Sequence, residues 1–314
     1  MGRRAAECIL HGIVTALVVM MILRAQRIRA PDARLRFWLL AAGAPLVGTP
    51  LLWLLAPWRL GERFRDEWAF FSASHFSPWV WHGAALATAA AWVLAVAGAA
   101  LFLRDAIPFA MDFGLSRATK RTVTTPFAAL VGAAERAAAA LGIAVPRLVV
   151  LTSKHPILSC RGLRKPVIVV STGLCELLEP TEELEAAIAH EMAHARRRDP
   201  ALGWGLMLVR ALCFFNPAVQ LAARAAVMEI ERRADQSAAR IVGSSQSLVD
   251  SLRKLSDNAA ASHTAGTWHG FRLVAIEERC QSLLRENMDP TDLSPRILLA
   301  TAIGLGAILF LTVA

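Results

Sequence analysis

The chain has 314 residues, enough for one or two domains; 55% are hydrophobic and the formal net charge is +9. Such an apolar share, with a positive mean hydropathy, excludes a disordered chain and points to the membrane rather than to an ordinary soluble protein. The five cysteines are widely spaced without a CxxC pair, which excludes a disulfide framework and a cysteine zinc site.

Four segments have the character of transmembrane helices: residues 8–23, 37–58, 79–103 and 296–314. The second is interrupted by Pro45 and Pro50 and carries Trp38, Trp53 and Trp58 near its ends, as an aromatic belt would. Arginine sets the orientation. The first connection holds Arg24, Arg27, Arg29, Arg34 and Arg36 against Asp32 alone, so it is expected on the cytoplasmic side. In the second connection Arg59, Arg63 and Arg65 are balanced by Glu62, Asp66 and Glu67, as on the outer side. The expected layout is a membrane region over 1–103 with its N-terminus outside, a cytoplasmic domain over 104–295, and a last helix over 296–314.

Within the cytoplasmic domain, Pro126 to Leu141 reads as an alanine-rich amphipathic helix. Arg147 to Thr152 and Pro166 to Ser171 read as short strands of a small sheet. Pro180-Thr181-Glu182-Glu183 opens the next helix, with Thr181 as N-cap and acids in the first turn. That helix carries His190-Glu191-Met192-Ala193-His194. Histidines four residues apart lie one turn apart on one helical face, so both imidazoles can reach a single Zn²⁺. Glu191 then sits beside the open coordination position, where it can act as general base toward water. A structural zinc site has no need of such a base, which argues against a non-catalytic sensor or scaffold.

Two histidines rarely hold a catalytic zinc alone. Glu231 is the best-placed third ligand; Asp235, at i+4 on the same face, would orient a histidine ligand from behind. Glu229 is the alternative, pointing to a different face. Between the two motifs, Ala201 to Ala223 is apolar enough to imitate a span, but a single crossing would put Glu231 on the opposite side from His190. Arg210 and Asn216-Pro217 interrupt the run, and a helix over 201–215 would be about 22 Å long, short of a ~30 Å hydrocarbon core. The stretch is therefore expected to form two buried or membrane-abutting helices joined at Phe214-Phe215-Asn216-Pro217, the second returning Glu231 to the histidines.

The HExxH with Arg197-Arg198-Asp199 after it, the Phe214-Phe215-Asn216-Pro217 turn, the Glu231 to Asp235 segment and the span arrangement together resemble the BlaR/MecR antirepressor family of integral-membrane zinc metallopeptidases. The resemblance implies a mostly α membrane protein: four transmembrane helices, with a cytoplasmic α+β gluzincin-like zinc metalloprotease domain inserted between the third and fourth. It also implies one Zn²⁺ per chain held by His190, His194 and Glu231, with Glu191 as catalytic base. Members that sense β-lactams continue into an extracytoplasmic penicillin-binding domain, whereas this sequence stops at Ala314, so sensing would fall to the outer loop, the spans or a sensor partner. A more distant resemblance, to the HtpX and CAAX-protease type, implies catalytic roles for His269 and Arg279 in stabilising the tetrahedral intermediate.

The expected substrate is a protein or peptide cut at the cytoplasmic face of the inner membrane. By resemblance it is a cytoplasmic transcriptional repressor, or alternatively misfolded membrane protein. An edge strand such as Val167 to Ser171 could pair with it. The other expected partner is the lipid bilayer. Arg196-Arg197-Arg198 complements a helix C-terminus and can meet anionic lipid, so no direct nucleic-acid contact is expected.

Overall fold

The computed structural model describes residues 3–69, 89–107, 123–124, 128–162, 164–178, 182–261, 268–285 and 295–312. Four helices come first: α1 (Arg3–Ala25), α2 (Pro31–Leu55), α3 (Glu62–Glu67) and α4 (Ala89–Ile107). A short strand β1 (Val123–Thr124) precedes α5 (Ala128–Leu141), β2 (Arg147–Leu151), β3 (Leu158–Arg161), β4 (Val167–Ser171) and α6 (Thr172–Leu178). The chain continues as α7 (Glu182–Arg197), α8 (Asp199–Leu212), α9 (Pro217–Val242), α10 (Ser245–Ala261), α11 (Trp268–Arg285) and α12 (Pro295–Phe310).

Among the described residues the protein is thus mostly helical with one small sheet. Ala5–Ala25, Pro31–Leu55 and Ala89–Ile107 are long and apolar enough to cross a membrane; α12 contains a shorter apolar helix, Arg296–Phe310. The second of these starts at Pro31, ahead of the expected Phe37. Proline at the first helical position has its φ already set, and Asp32 in the first turn suits the macrodipole. Residues 79–88 of the third expected span lie outside the described residues, as does Thr181.

The chain divides into two compact units. One comprises Met1–Arg104, Leu206–Glu229 and Pro290–Ala314; the other comprises Asp105–Gly205 and Ile230–Asp289. In the first, a buried polar network ties α12 to the N-terminal helices. Arg59 donates to the carbonyls of Leu309, Phe310 and Thr312 and pairs with Glu7 at 3.3 Å, while His11 bridges Thr49 and the Thr312 carbonyl.

The second unit is built on a four-stranded sheet of order β1-β2-β4-β3. β2 and β4 are parallel, Val149 opposite Val169, whereas β3 runs antiparallel to β4 with Cys160 opposite Ile168. Val150, Ile168 and Val170 point into a core completed by Leu130 of α5, Leu174 of α6, Ile188 and Met192 of α7 and Leu248 of α10. The β-branched strand Val167–Ser171 is therefore an internal strand, not the edge the sequence suggested, because β2 and β3 pair with both of its sides. Among the described residues the edge beside β4 is β3. The four-residue run Leu-Ser-Cys-Arg carries no β-branched residue, so propensity gives no sign of it.

Candidate metal centre

Helix α7 can run through the core because it is lined with small residues: Ala186, Ala187, Ala189, Ala193 and Ala195 are all buried. Glu182, Glu183 and Glu185 lie in its first turn, Arg196 and Arg197 in its last, each matching the macrodipole. His190, Glu191 and His194 are consequently carried inside, at 6%, 3% and 5% exposure.

The two imidazoles meet edge to face, with Nε2 of His190 3.0 Å from Nε2 of His194. Glu231 of α9 completes the group: Oε2 lies 3.6 Å from His190 Nε2 and Oε1 3.6 Å from His194 Nε2. One ligand atom from each residue fits within a 4.8 Å cluster. Glu229 is elsewhere, its carboxylate 2.6 Å from Arg34 Nε within the other unit.

Each histidine is backed by a carboxylate. Asp235 Oδ1 lies 2.9 Å from His190 Nδ1, and Asp199 Oδ2 lies 2.8 Å from His194 Nδ1. Each of these carboxylates meets an arginine in turn. Arg279 donates from Nε and Nη2 to the two oxygens of Asp235 at 2.7 and 2.5 Å, with Nη1 3.1 Å from Glu231 Oε2, and Arg233 pairs with Asp199. A carboxylate accepting from Nδ1–H leaves Nε2 as a lone-pair donor. Two such lone pairs facing each other at 3.0 Å repel unless a proton or a metal ion lies between them. Charge agrees with chemistry. Glu191, Asp199, Glu231 and Asp235 against Arg233 and Arg279 leave two negative charges in excess when both imidazoles are neutral, which suits a divalent ion.

Burial opposes charge on His190, but the Asp235 and Glu231 carboxylates outweigh it and raise the imidazole to about 9. Burial would likewise raise Asp235, yet the Arg279 guanidinium prevails and holds its carboxyl below the ordinary value. Metal binding must displace the His190 proton below about pH 9. Apparent zinc affinity is therefore expected to rise roughly tenfold per pH unit between ~6.5 and 9 and then level off, as read by chelator competition. The metal-free protein should show the opposite slope. A raised folded-state value stabilises most below the unfolded value of ~6.5, and that stabilisation is lost as pH climbs through about 9.

Glu191 faces β3. Its Oε2 accepts the backbone N–H of Cys160 at 2.6 Å, tying the carboxylate to the sheet edge. Of the other residues singled out in the sequence, Arg279 is buried among the site carboxylates rather than exposed on a helix face. His269 begins the second residue of α11, and its side chain lies outside the described residues.

Three contributors had no role assigned from the sequence: Asp199, which entered there only as part of the family resemblance, Arg233 and the Cys160 amide. Asp199 lies beyond the end of α7, where helical spacing no longer predicts direction. Arg198 takes a left-handed φ of 55°, and this turn brings Asp199 back onto His194. An acid five residues after the second histidine was the available signal. Asp199→Asn should lower zinc affinity by about 10–100-fold with the three ligands intact, measurable by the same chelator competition.

Residues 72–282, more than half of the chain, match the family described as BlaR1 peptidase M56. The chain is also 34% identical over 124 residues to the protease HtpX homolog of Acidiphilium cryptum (strain JF-5); the match covers 38% of this chain and 41% of that protein, less than half its length. A family match over more than half of the chain shows the family: the chain, which has helices long and apolar enough to cross a membrane and a buried HExxH helix, belongs to the BlaR1 peptidase M56 family.

Proposed function

We propose that this protein is an integral-membrane, zinc-dependent endopeptidase that cuts a protein substrate at the cytoplasmic face of the inner membrane. The observation that carries this reading is the convergence of His190 Nε2, His194 Nε2 and the Glu231 carboxylate, with the carboxylate of Glu191 one residue from the first ligand. His190, His194 and Glu231 would hold the ion. Zinc bound there would supply Lewis acidity toward a scissile carbonyl and would lower the pKa of a water molecule.

The chain's own residues do the rest. Asp235 and Asp199 hold both rings with Nε2 inward, and Arg279 fixes Glu231 and Asp235 together. Glu191, steadied by the Cys160 amide, takes the proton of the attacking water and passes it to the leaving amine. An extended substrate would pair along β3, the strand whose Cys160 N–H is directed away from β4 and toward Glu191.

The preferred biological role is regulated proteolysis in signalling, such as removal of a transcriptional repressor, in keeping with the family. Quality control of membrane proteins is the second reading, favoured by the likeness to the HtpX homolog. Comparing new N-termini in cells expressing the wild type or Glu191→Gln separates them. Loss of one or a few cleavages in a regulator supports signalling, loss of many in membrane proteins supports quality control, and identical profiles would contradict proteolysis.

A further inference from the structure

The segment Leu206–Glu229 covers the end of α8, the turn at Cys213–Asn216 and the first half of α9, and it belongs to the same unit as the three apolar helices. Its polarity is reversed relative to a hairpin in water. Arg210 is 5% exposed, and Asn216 and Gln220 are fully buried. Every exposed residue of the segment is apolar: Leu208, Ala211, Leu212, Phe214 and Leu221.

The interior contacts supply what water would otherwise supply. Gln220 Nε2 donates to the carbonyls of Arg210, in the last turn of α8, and of Cys213 at 3.0 and 3.1 Å, and Gln220 Oε1 accepts from Arg210 Nε at 2.9 Å. Asn216 Oδ1 accepts the N–H groups of Ala218 and Val219 at the start of α9, while its Nδ2 donates to the Cys8 carbonyl of α1 at 2.8 Å. Arg210 and Arg224 both donate to the Leu101 carbonyl of α4. A Cβ on Gly98 would lie 2.6 Å from the Phe215 carbonyl carbon, so α4 meets the turn backbone to backbone.

Internal satisfaction of backbone groups at a turn, with apolar side chains outside, is what a hydrocarbon environment demands. The outer face is also of one kind with the exposed Trp92, Val93 and Val96 of α4 in the same unit. The 14 residues of α8 reach only about 21 Å, against a ~30 Å hydrocarbon core, so the chain turns back before crossing. We propose that the α8–α9 hairpin is a re-entrant element of the membrane unit, its Leu208, Leu212, Phe214 and Leu221 face covered by lipid acyl chains. This inference rests on the integral-membrane reading and is independent of the zinc chemistry.

The test uses the unaltered full chain in vesicles containing a phospholipid with a diazirine in its acyl chain, with adducts mapped by mass spectrometry. Adducts between Leu208 and Leu221, at a yield comparable to that over α4, are expected. Adducts on α4 with none over 208–221 would overturn the proposal and leave the metal centre untouched. A membrane-impermeant amine reagent then reads sidedness through Lys154 and Lys254, which precede and follow the hairpin. Both should react from the same side. Reaction from opposite sides would mean a complete crossing and would overturn the re-entrant hairpin together with the shared His190–His194–Glu231 site.

Discussion

Glu191→Gln is expected to leave zinc bound and to lower turnover by about 10²–10⁴-fold, the usual contribution of a positioned general base. The substituted side chain is the same size, and its carbonyl oxygen can still accept the Cys160 N–H now held at 2.6 Å, so the edge of the sheet should not shift. The ligand atoms of His190, His194 and Glu231 are unaltered. Zinc content and thermal stability should match the wild type while cleavage of an added peptide falls, with the loss in kcat rather than KM. A variant that loses zinc along with activity would show instead that Glu191 helps to build the site.

Arg279→Ala should have the largest effect on stability, about 3–5 kcal/mol, because it strips the counter-ion from carboxylates that remain inside. The side chain of Asp235 is 2% exposed and that of Glu231 14%, and Arg279 engages both. Arg279→Lys should recover only part of the loss, since an ammonium cannot span two carboxylates as the planar guanidinium does. Thermal unfolding of the metal-free and zinc-loaded chain measures both. Zinc should rescue some of the deficit by replacing the lost positive charge. A role for Arg279 confined to the tetrahedral intermediate predicts something different, a fall in kcat with stability and zinc affinity unchanged.

The parts of this centre that were legible in the sequence obey helical spacing. His190 and His194 are one turn apart, and Glu231 and Asp235 are one turn apart, so each pair shares a face whatever the tertiary structure does. The hairpin that brings the pairs together was legible for a different reason. Arg210, Asn216 and Pro217 interrupt a run too short to cross a bilayer, and α8 and α9 do meet at that break. Asp199 and Arg233 were not legible because their meeting depends on a single left-handed residue at Arg198 and on the packing of α9. The side chain of Arg233 is only 11% exposed, a burial that helical spacing alone does not signal.

The sheet shows the same limit. β2 and β4 announce themselves by β-branched runs, but which strand is the edge depends on pairing, and β3 has no such signature. The consequence for function is concrete: the substrate-pairing strand is expected to be Leu158–Arg161, whose Cys160 amide already touches Glu191, and not Val167–Ser171.

The most direct test of the account is X-ray absorption at the zinc edge on the purified full chain, compared with Glu231→Ala. One zinc per chain with two imidazoles and a carboxylate oxygen at about 2.0–2.2 Å is predicted, the carboxylate contribution vanishing and the affinity dropping in the variant. A shell containing sulfur, fewer than two imidazoles, or a spectrum unchanged by Glu231→Ala would contradict the assignment of His190, His194 and Glu231 as the metal ligands.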